Sequence, residues 1–370
     1  MNFNLTEEQT LLQETLRRCL AEQADFATRK ATLAACTGWS SSLWSTLTEL
    51  GMPALPLSES DGGLGGGAIE LALAAEAAGT ALLVEPLVST LWANAIIDRY
   101  GRTPVRTAWI AALAAGRQMA VPTFESVSDA VIADREPGGY RLQGSASVVY
   151  HAPLATHYLV AATTSASHVA DTLLVVAADT AGLDVARYTT VDDQLAGDVR
   201  LRDVFVPEAD VLVVNDPEAL AWAVDVGLLV VSADALGSAA RALTLTIEYL
   251  KTRQQFGGPI GRFQALQHRV VACLAKLEEL KTSVWVAAAR FGDEPAARRA
   301  ALAALKVIAS ETARHIGEES VQLHGGMGVT QEMEISHHFR RLTAASIRFG
   351  ARDQHLAAYA NLRYGPISPG

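Results

Sequence analysis

The sequence predicts a mostly helical α+β protein with an N-terminal helical domain, a central antiparallel β domain and a C-terminal four-helix bundle. Apolar residues recur with a helical period up to about residue 115, and again from 217 to about 363 in four or five long helices. Between 117 and 212 no helical period persists, and short apolar runs end at Asp, Gly or Pro. This segregated order excludes a doubly wound α/β fold.

The chain of 370 residues suits two or three domains, and we predict boundaries at 1–115, 116–212 and 213–370. Thr6 and Gln9 predict a capping box that opens the first helix. The run SSLWSTLTELG leads to a glycine-rich loop at 59–67, and a further amphipathic helix, AIELALAAEAAGTALL, follows that loop.

In the central region, VIADREPGGYRLQGSASVVY reads as a strand, a Pro-Gly-Gly turn and a second strand. The runs HYLVAAT, DTLLVVAAD and DVRLRDVFVP predict further strands. Residues 221–243 form the most apolar stretch, but they include Asp225, Asp234 and Arg241. We therefore predict a buried core helix there rather than a membrane span.

Net charge, cysteine spacing and the N-terminal pattern limit which functions and which cellular compartment the sequence fits. A formal charge of −10 argues against a nucleic-acid surface. Cys19, Cys36 and Cys273 are far apart and fit no metal spacing, so we predict no metal site and a cytoplasmic protein with reduced thiols. The opening MNFNLTEEQT lacks the basic and apolar pattern of a signal peptide.

Three glycine-rich segments are candidate ligand loops. ESDGGLGGG lacks the Lys-Ser/Thr of a phosphate loop, which favours a flexible connector. QLHGGMG, residues 322–328, follows a long helical stretch and is either a helix cap or a place where backbone approaches a ligand. RQQFGGPIGRFQALQH, residues 253–268, lies between two helical patterns and is either a capped hairpin with Phe256 in the core or a binding turn.

The side chains of that turn suit a pyrophosphate. The planar guanidinium of Arg253 matches phosphate geometry. Gln255 and Gln264 both donate and accept hydrogen bonds, and Phe256 offers an aromatic face. Each residue by itself fits a connector, but together the three elements favour a ligand.

Over nearly its whole length the sequence resembles the acyl-CoA dehydrogenase family of flavoproteins. The motifs that carry the resemblance are the LTEEQ opening, LWSTLTELG with the following GGLG, LRDVFVP, TRQQFGGPIGRFQALQH and QLHGGMG. The resemblance implies the same helical, β and helical domains and assembly as a tetramer. It also implies that the turn and the Gln-x-x-Gly-Gly segment hold the ADP half of FAD, across a subunit interface. Carried over by position, the FAD contacts are Arg253, Gln255, Phe256, Gln264, Gln322, Gly325 and Gly326, with Gln255 replacing a more usual Thr or Ser.

The family's reaction is α,β-dehydrogenation of an acyl-CoA thioester, in which a glutamate removes the α-proton. At the usual position of that glutamate this sequence has Phe349-Gly350. At the alternative position used by some members it has Gly227, with Leu228 where an Arg is expected. Asp225 lies nearby and is the one candidate base, with helix capping or contact with CoA as its other possible roles.

The central region also departs from the family. The flavin-side segment reads VPTFESVSDAVI, where only Thr123, Glu125, Ser128 and Asp129 echo the family pattern. A second segment reads QGSASVVYHA, with Val148 for a Trp and Tyr150 for a Thr. The chain therefore resembles the chain without a base in heterotetrameric bacterial acyl-CoA dehydrogenases, which act on steroid side-chain CoA esters and depend on a paralogous partner.

Three interpretations stay open: such a heteromeric subunit, a homotetrameric dehydrogenase with an unusual base such as Asp225, and a flavin-free structural subunit. The resemblance implies fatty acid or steroid catabolism and an electron-transfer flavoprotein as acceptor. Small residues such as Gly227 and Ala233 leave room for a bulky acyl group.

Outside the motifs, we expect His324 to be a packing residue, Trp285 to lie in the bundle core, and His337, His338, Arg340 and Arg341 to form a solvated basic face.

Overall fold

The computed structural model describes residues 4–35, 37–101, 105–125, 131–164 and 170–365. Cys36, Ser128 and Asp129 lie outside the described residues. The chain divides into two compact units. The first comprises Met1–Arg29, Ala72–Leu83 and Leu228–Gly370, and the second comprises Lys30–Leu71 and Val84–Gly227. The three predicted domain boundaries stay a prediction.

Helices dominate the N-terminal part of the chain, as predicted. They are α1 (Glu7–Gln23), α2 (Phe26–Ala34), α3 (Ser41–Glu49), α4 (Ala68–Thr80), α5 (Leu87–Tyr100) and α6 (Val105–Ala114). The capping box of α1 is confirmed: Gln9 N donates to Thr6 Oγ1 over 3.2 Å, and Thr6 N donates to Gln9 Oε1 over 3.0 Å. These bonds satisfy two of the amides that a helix start leaves without partners.

A sheet occupies the middle of the chain, within the second unit. Its strands are β1 (Ala120–Pro122), β2 (Val131–Glu136), β3 (Gly139–Tyr150), β4 (His157–Thr164), β5 (Thr172–Ala177), β6 (Leu183–Thr189), β7 (Leu195–Pro207) and β8 (Val211–Val213). Their order is β6-β7-β3-β2-β4-β5-β8, and β1 pairs with β4. The predicted hairpin of β2 and β3 is confirmed. The strands β1, β6 and β8 were not predicted from the sequence.

The central sheet is mostly antiparallel, as predicted, but it is mixed rather than antiparallel throughout. β4 runs parallel to both β1 and β2, with Ala120 opposite His157 and Ile132 opposite Thr163. The reason is that β3 pairs with β2 and β7, so the chain must cross before β4 joins the far side of β2. The core of this sheet includes Leu142, Val160, Leu174 and Val199, which are all fully buried.

The C-terminal part returns to helix, as predicted. It contains α7 (Pro217–Thr252), β9 (Gln254–Gln255), β10 (Gly258–Pro259), α8 (Gln264–Ala289), α9 (Pro295–His324), α10 (Glu334–Ile347) and α11 (Arg352–Tyr364). The mostly helical α+β class, with a sheet between two helical regions, is therefore confirmed.

Within the described residues α7 is the one helix that is long and apolar enough to cross a membrane, and 78% of its most apolar window is buried inside the protein. A buried window of this kind is what the core helix of a globular protein shows.

In the first unit α4 and α7 cross at two glycines. A Cβ added at Gly79 would overlap the Asp234 carbonyl, and one added at Gly237 would overlap the Glu76 carbonyl. The two backbones therefore touch, and only glycine permits that approach.

The predicted basic surface on α10 is wrong. His337, His338 and Arg341 are buried, and only Arg340 is partly exposed. Arg341 Nη2 donates to the Leu83 carbonyl over 2.6 Å, and Arg29 and Arg340 both lie 2.8 Å from His337 Nδ1. The sequence pattern did not predict the burial of these side chains, because buried charges are rare and depend on partners from distant segments.

Trp285, predicted to lie in the bundle core, is half-buried.

Candidate cofactor-binding site

The turn after α7 is a tight two-stranded hairpin. Arg253 N donates to the Tyr249 carbonyl over 2.8 Å, which ends α7, and Ile260 N donates to the Arg253 carbonyl over 2.9 Å. Gln255 pairs with Gly258 across β9 and β10, so Phe256 and Gly257 form the tip. The hairpin therefore presents Arg253, Gln255 and Phe256, all exposed, on one short loop.

Phe256 combines two features that are unfavourable in a free surface loop. Its side chain is 81% exposed, and its backbone is left-handed with φ of 53°. The Arg262 guanidinium donates to the Phe256 carbonyl and holds this conformation. A strained, exposed aromatic residue indicates a surface that binds something. The alternative that Phe256 belongs to the core is wrong.

The start of α8 lies beside the end of α9. The ion pair of Arg269 on α8 and Glu319 on α9 spans 2.6 Å. Gln264 is the first residue of α8, and Gln322 lies one turn beyond Glu319 on α9, so each glutamine lies near this ion pair along its own helix. Both glutamines are exposed, and the sequence analysis did not predict the ion pair.

The Gly-Gly segment caps α9 with open backbone. Gly325 has φ of 63°, and beyond the adjoining residues no atom in the described part of the chain lies within 4 Å of a Cβ built at Gly325 or at Gly326. Before them, His324 is buried as expected, and its imidazole stacks on Tyr249 with ring centroids 4.4 Å apart. That stack joins the end of α7, just before the hairpin, to the end of α9, just before the Gly-Gly segment. Only the tertiary structure reveals this contact of Tyr249.

The seven predicted residues are all exposed in the first unit and are together called the clamp face below: Arg253, Gln255, Phe256, Gln264, Gln322, Gly325 and Gly326. The guanidinium of Arg253 makes no ion pair or hydrogen bond with any other described residue, so it is available to an anion. Amide side chains and open glycine backbone beside it supply further hydrogen-bond groups. The clamp face therefore has the donors and the open backbone that a pyrophosphate requires.

No acidic side chain stands at either position where the resemblance puts a base. Phe349 is 6% exposed, with φ of 58°, and Gly227 and Leu228 are both buried. Asp225 belongs to the second unit, and its side chain is also buried. Among the described residues no three His, Cys, Asp or Glu side chains are grouped as a metal site would need.

The segment around Phe349 is held from two sides. Lys306 is buried on α9, and its ammonium donates to the carbonyls of Ala345 and Ser346 over 2.8 and 3.3 Å. His355 Nε2 lies 2.8 Å from the Phe349 carbonyl, and burial lowers the pKa of this imidazole. These bonds satisfy carbonyls at the end of α10, which would otherwise lack partners. No sequence pattern predicted that Lys306 would donate to these carbonyls.

The described part of the central region offers few groups to a flavin ring. Thr123 is buried, and its hydroxyl donates to the Leu159 carbonyl over 3.2 Å. Val148, in place of the expected Trp, is left-handed with φ of 54° and its amide donates to Asp198 over 3.1 Å. Tyr150 is buried, while Glu125 is half-buried.

Comparison with known proteins agrees with this geometry. Residues 6–117 match the family model "Acyl-CoA dehydrogenase, N-terminal domain", and residues 218–361 match "Acyl-CoA dehydrogenase, C-terminal domain". The acyl-CoA dehydrogenase IpdE2 of Mycobacterium tuberculosis is 30% identical over 343 residues, which cover 90% of this chain and 91% of that protein.

Two solved structures share the fold. A variant of the Tcur3481-Tcur3483 steroid ACAD has a TM-score of 0.88 at 29% identity, covering 96% of this chain and 97% of that chain. The ChsE4-ChsE5 complex from Mycobacterium tuberculosis has a TM-score of 0.92 at 24% identity, covering 99% and 100%. With two matching family models and a relative of near-full coverage, the chain belongs to the acyl-CoA dehydrogenase family.

Proposed function

We propose that this chain is a subunit of an FAD-dependent acyl-CoA dehydrogenase that catalyses α,β-dehydrogenation of an acyl-CoA thioester. A paralogous partner chain supplies the catalytic base. The observation that carries this proposal is the buried Phe349 at the position of the family's glutamate, because a phenyl ring cannot accept the α-proton.

The clamp face supports a contribution to FAD binding. Arg253 would pair with the pyrophosphate, Gln255, Gln264 and Gln322 would hydrogen-bond to the ADP half, and Phe256 would pack against it. Gly325 and Gly326 let backbone amides approach, because no side chain intervenes there. When bound, FAD supplies the two-electron acceptor, while the two chains together supply orientation and the partner chain supplies the base.

The retained clamp and the missing base together support a heteromer. If each FAD lies between two chains, one chain can lend the ADP clamp while the other provides the ring pocket and the base. The related Tcur3481-Tcur3483 protein is a steroid ACAD with two named chains. By that analogy the acyl group is steroid-derived or otherwise bulky. The family resemblance implies that an electron-transfer flavoprotein accepts the electrons. A cytoplasmic location stays a prediction.

The test is to purify the chain alone and together with a paralogous chain that carries an intact Glu-Gly motif, and to measure FAD content, mass and turnover of acyl-CoA. We expect turnover only in the pair, with two FAD per tetramer. A lone chain that forms a tetramer with four FAD and turns over an acyl-CoA would contradict the proposal. Asp225→Asn would then test the remaining candidate base.

A second experiment tests the clamp within the pair. Arg253→Ala removes the predicted pyrophosphate contact, and Arg314→Ala serves as the matched control because Arg314 is an exposed arginine paired with Glu318 on α9. We expect the first variant to lose FAD and the second to retain it. Equal FAD content in both variants would show that the turn does not bind the cofactor.

A further inference from the structure

A second candidate site lies in the first unit, and none of the clamp-face residues lines it. It is a cavity of about 340 Å³. Helices α1 and α4 and the start of α2 form its walls, together with Arg241 of α7 and Glu334 of α10. This volume lies near the lower end of the range for small-molecule sites, which is about 300–1,000 Å³.

The apolar wall of the cavity consists mainly of short side chains. Ala24, Ala77 and Leu82 are buried, Ala81 is half-buried, and Ala21 is exposed at the edge. Four alanines, in α1 and α4 or directly after them, leave space that longer residues would fill. This wall suits the hydrocarbon part of a small molecule.

Two guanidiniums in the lining retain donors. Arg241 donates through Nε and Nη2 to Glu334 over 2.8 and 3.1 Å, and its Nη1 has no hydrogen-bond partner in the described part of the chain. Arg17 donates through Nη2 to Glu76 over 2.7 Å, and its Nε and Nη1 likewise have none there. Both side chains are partly exposed, at 39% and 47%.

The two carboxylates in the lining are already satisfied. Burial raises the pKa of Glu334, but His338, whose Nε2 lies 3.5 Å from Glu334 Oε1, and the hydrogen-bonded Arg241 guanidinium outweigh it and hold that pKa at about 2. Asp25 Oδ1 accepts the Thr28 amide over 2.7 Å, and this bond lowers the pKa of Asp25. The third lining arginine, Arg29, donates to the Leu82 carbonyl over 3.0 Å. The lining thus has three guanidiniums and two carboxylates, and Glu76, which pairs with Arg17, stands just outside it.

We propose that this cavity binds a small organic carboxylate with an apolar body. The carboxylate accepts the remaining N–H groups of Arg17 and Arg241, and the apolar body lies against the alanine wall. Guanidiniums with unused N–H groups are suited to carboxylates, and burial of a short hydrocarbon adds affinity. The ligand is of the size of hexanoate and much smaller than an acyl-CoA. This proposal does not rest on the proposed function.

The test is isothermal titration of the full chain, in the complex in which it purifies, with hexanoate and with hexanamide as the uncharged control. We expect saturable binding of hexanoate at one site per chain and at least tenfold weaker binding of hexanamide. Arg17→Gln is expected to weaken hexanoate binding at least tenfold, whereas Arg314→Gln, on an exposed arginine outside the cavity, leaves it unchanged.

A second variant separates the cavity from any other site for acyl groups. Ala21→Phe places a ring at the edge of the cavity, and Ala21 is exposed, so the substitution does not disturb the core. We expect this variant to lose hexanoate binding with an unchanged melting temperature. The proposal is overturned if hexanoate does not bind, if hexanamide binds equally well, or if Ala21→Phe binds hexanoate as tightly as the unchanged protein.

Discussion

The ring of Tyr249 stacks on the imidazole of His324, with centroids 4.4 Å apart and planes inclined by 25°. The Tyr249 carbonyl accepts the amide of Arg253, and His324 directly precedes Gly325. One aromatic contact therefore links the two sequence segments that form the clamp face. Burial lowers the pKa of His324, so the stacked imidazole is neutral near pH 7.

The stack predicts that Tyr249 positions the clamp without touching the cofactor. Tyr249→Ala removes the ring, and we expect at least a tenfold loss of FAD affinity together with lower stability, because aromatic pairs contribute about 0.5–1.5 kcal/mol beyond burial. Tyr249→Phe keeps the ring and is expected to keep both properties. FAD fluorescence on titration and urea unfolding measure the two effects. A Tyr249→Phe variant as weak as Tyr249→Ala would contradict the stacking explanation.

Lys306 is expected to contribute to stability through the end of α10. Lys306→Met leaves the Ala345 and Ser346 carbonyls with one donor fewer in a buried place, at a cost of about 1–3 kcal/mol in the free energy of unfolding. Lys251→Met is the control, since Lys251 is exposed and pairs with Glu248 on the surface. Urea unfolding of both variants checks this. Equal midpoints would show that the buried ammonium bonds contribute nothing.

Phe349→Glu tests how strictly this position is apolar. A buried carboxyl resists ionisation, so its pKa in the folded protein should exceed the ordinary value of about 4.3. The folded variant then becomes less stable as the pH rises above that ordinary value, since unfolding releases a proton. We expect Phe349→Glu to be more stable at pH 5 than at pH 7 relative to Phe349→Gln, which has no such proton. Parallel urea midpoints at both pH values would contradict burial of this side chain.

His338 predicts loss of stability on mild acidification. Burial lowers its pKa to about 4 from the ordinary 6.5, while its Nδ1 lies 2.9 Å from the Ser238 hydroxyl. Between these two pH values the unfolded chain binds a proton that the folded chain does not, so acid favours unfolding by up to about 1.4 kcal/mol per pH unit. The pKa of Glu334 is lowered to about 2, so this group adds destabilisation only below its ordinary value of 4.5.

Urea midpoints measured from pH 4.5 to pH 7 check this prediction. We expect His338→Gln to flatten the pH dependence, although His157, His324 and His355, whose pKa values are also lowered by burial, maintain part of it. His268→Gln is the control because that side chain is exposed. An unchanged slope in His338→Gln would exclude His338 as the source.

The local patterns of this sequence were enough to predict several features. The capping box of Thr6 and Gln9, the hairpin of β2 and β3, and the long C-terminal helices depend on neighbouring residues and on hydrophobic period, so they are readable in one dimension. The clamp residues are predicted because their spacing resembles a family motif. The structure shows all seven exposed in the first unit, and their contact with FAD stays a prediction.

The sequence by itself thus determined the fold class and the family, whereas the assignment of the clamp face to FAD stays a prediction. Tertiary structure alone decided the parallel position of β4, the exposure of Phe256 and the burial of His337, His338 and Arg341. It also decided the contact of Tyr249 with His324, and the position of Arg17 and Arg241 in the lining of the cavity. The physical reason is that burial of charge, stacking and strand order depend on partners tens to hundreds of residues away, and no local period records which segments will meet.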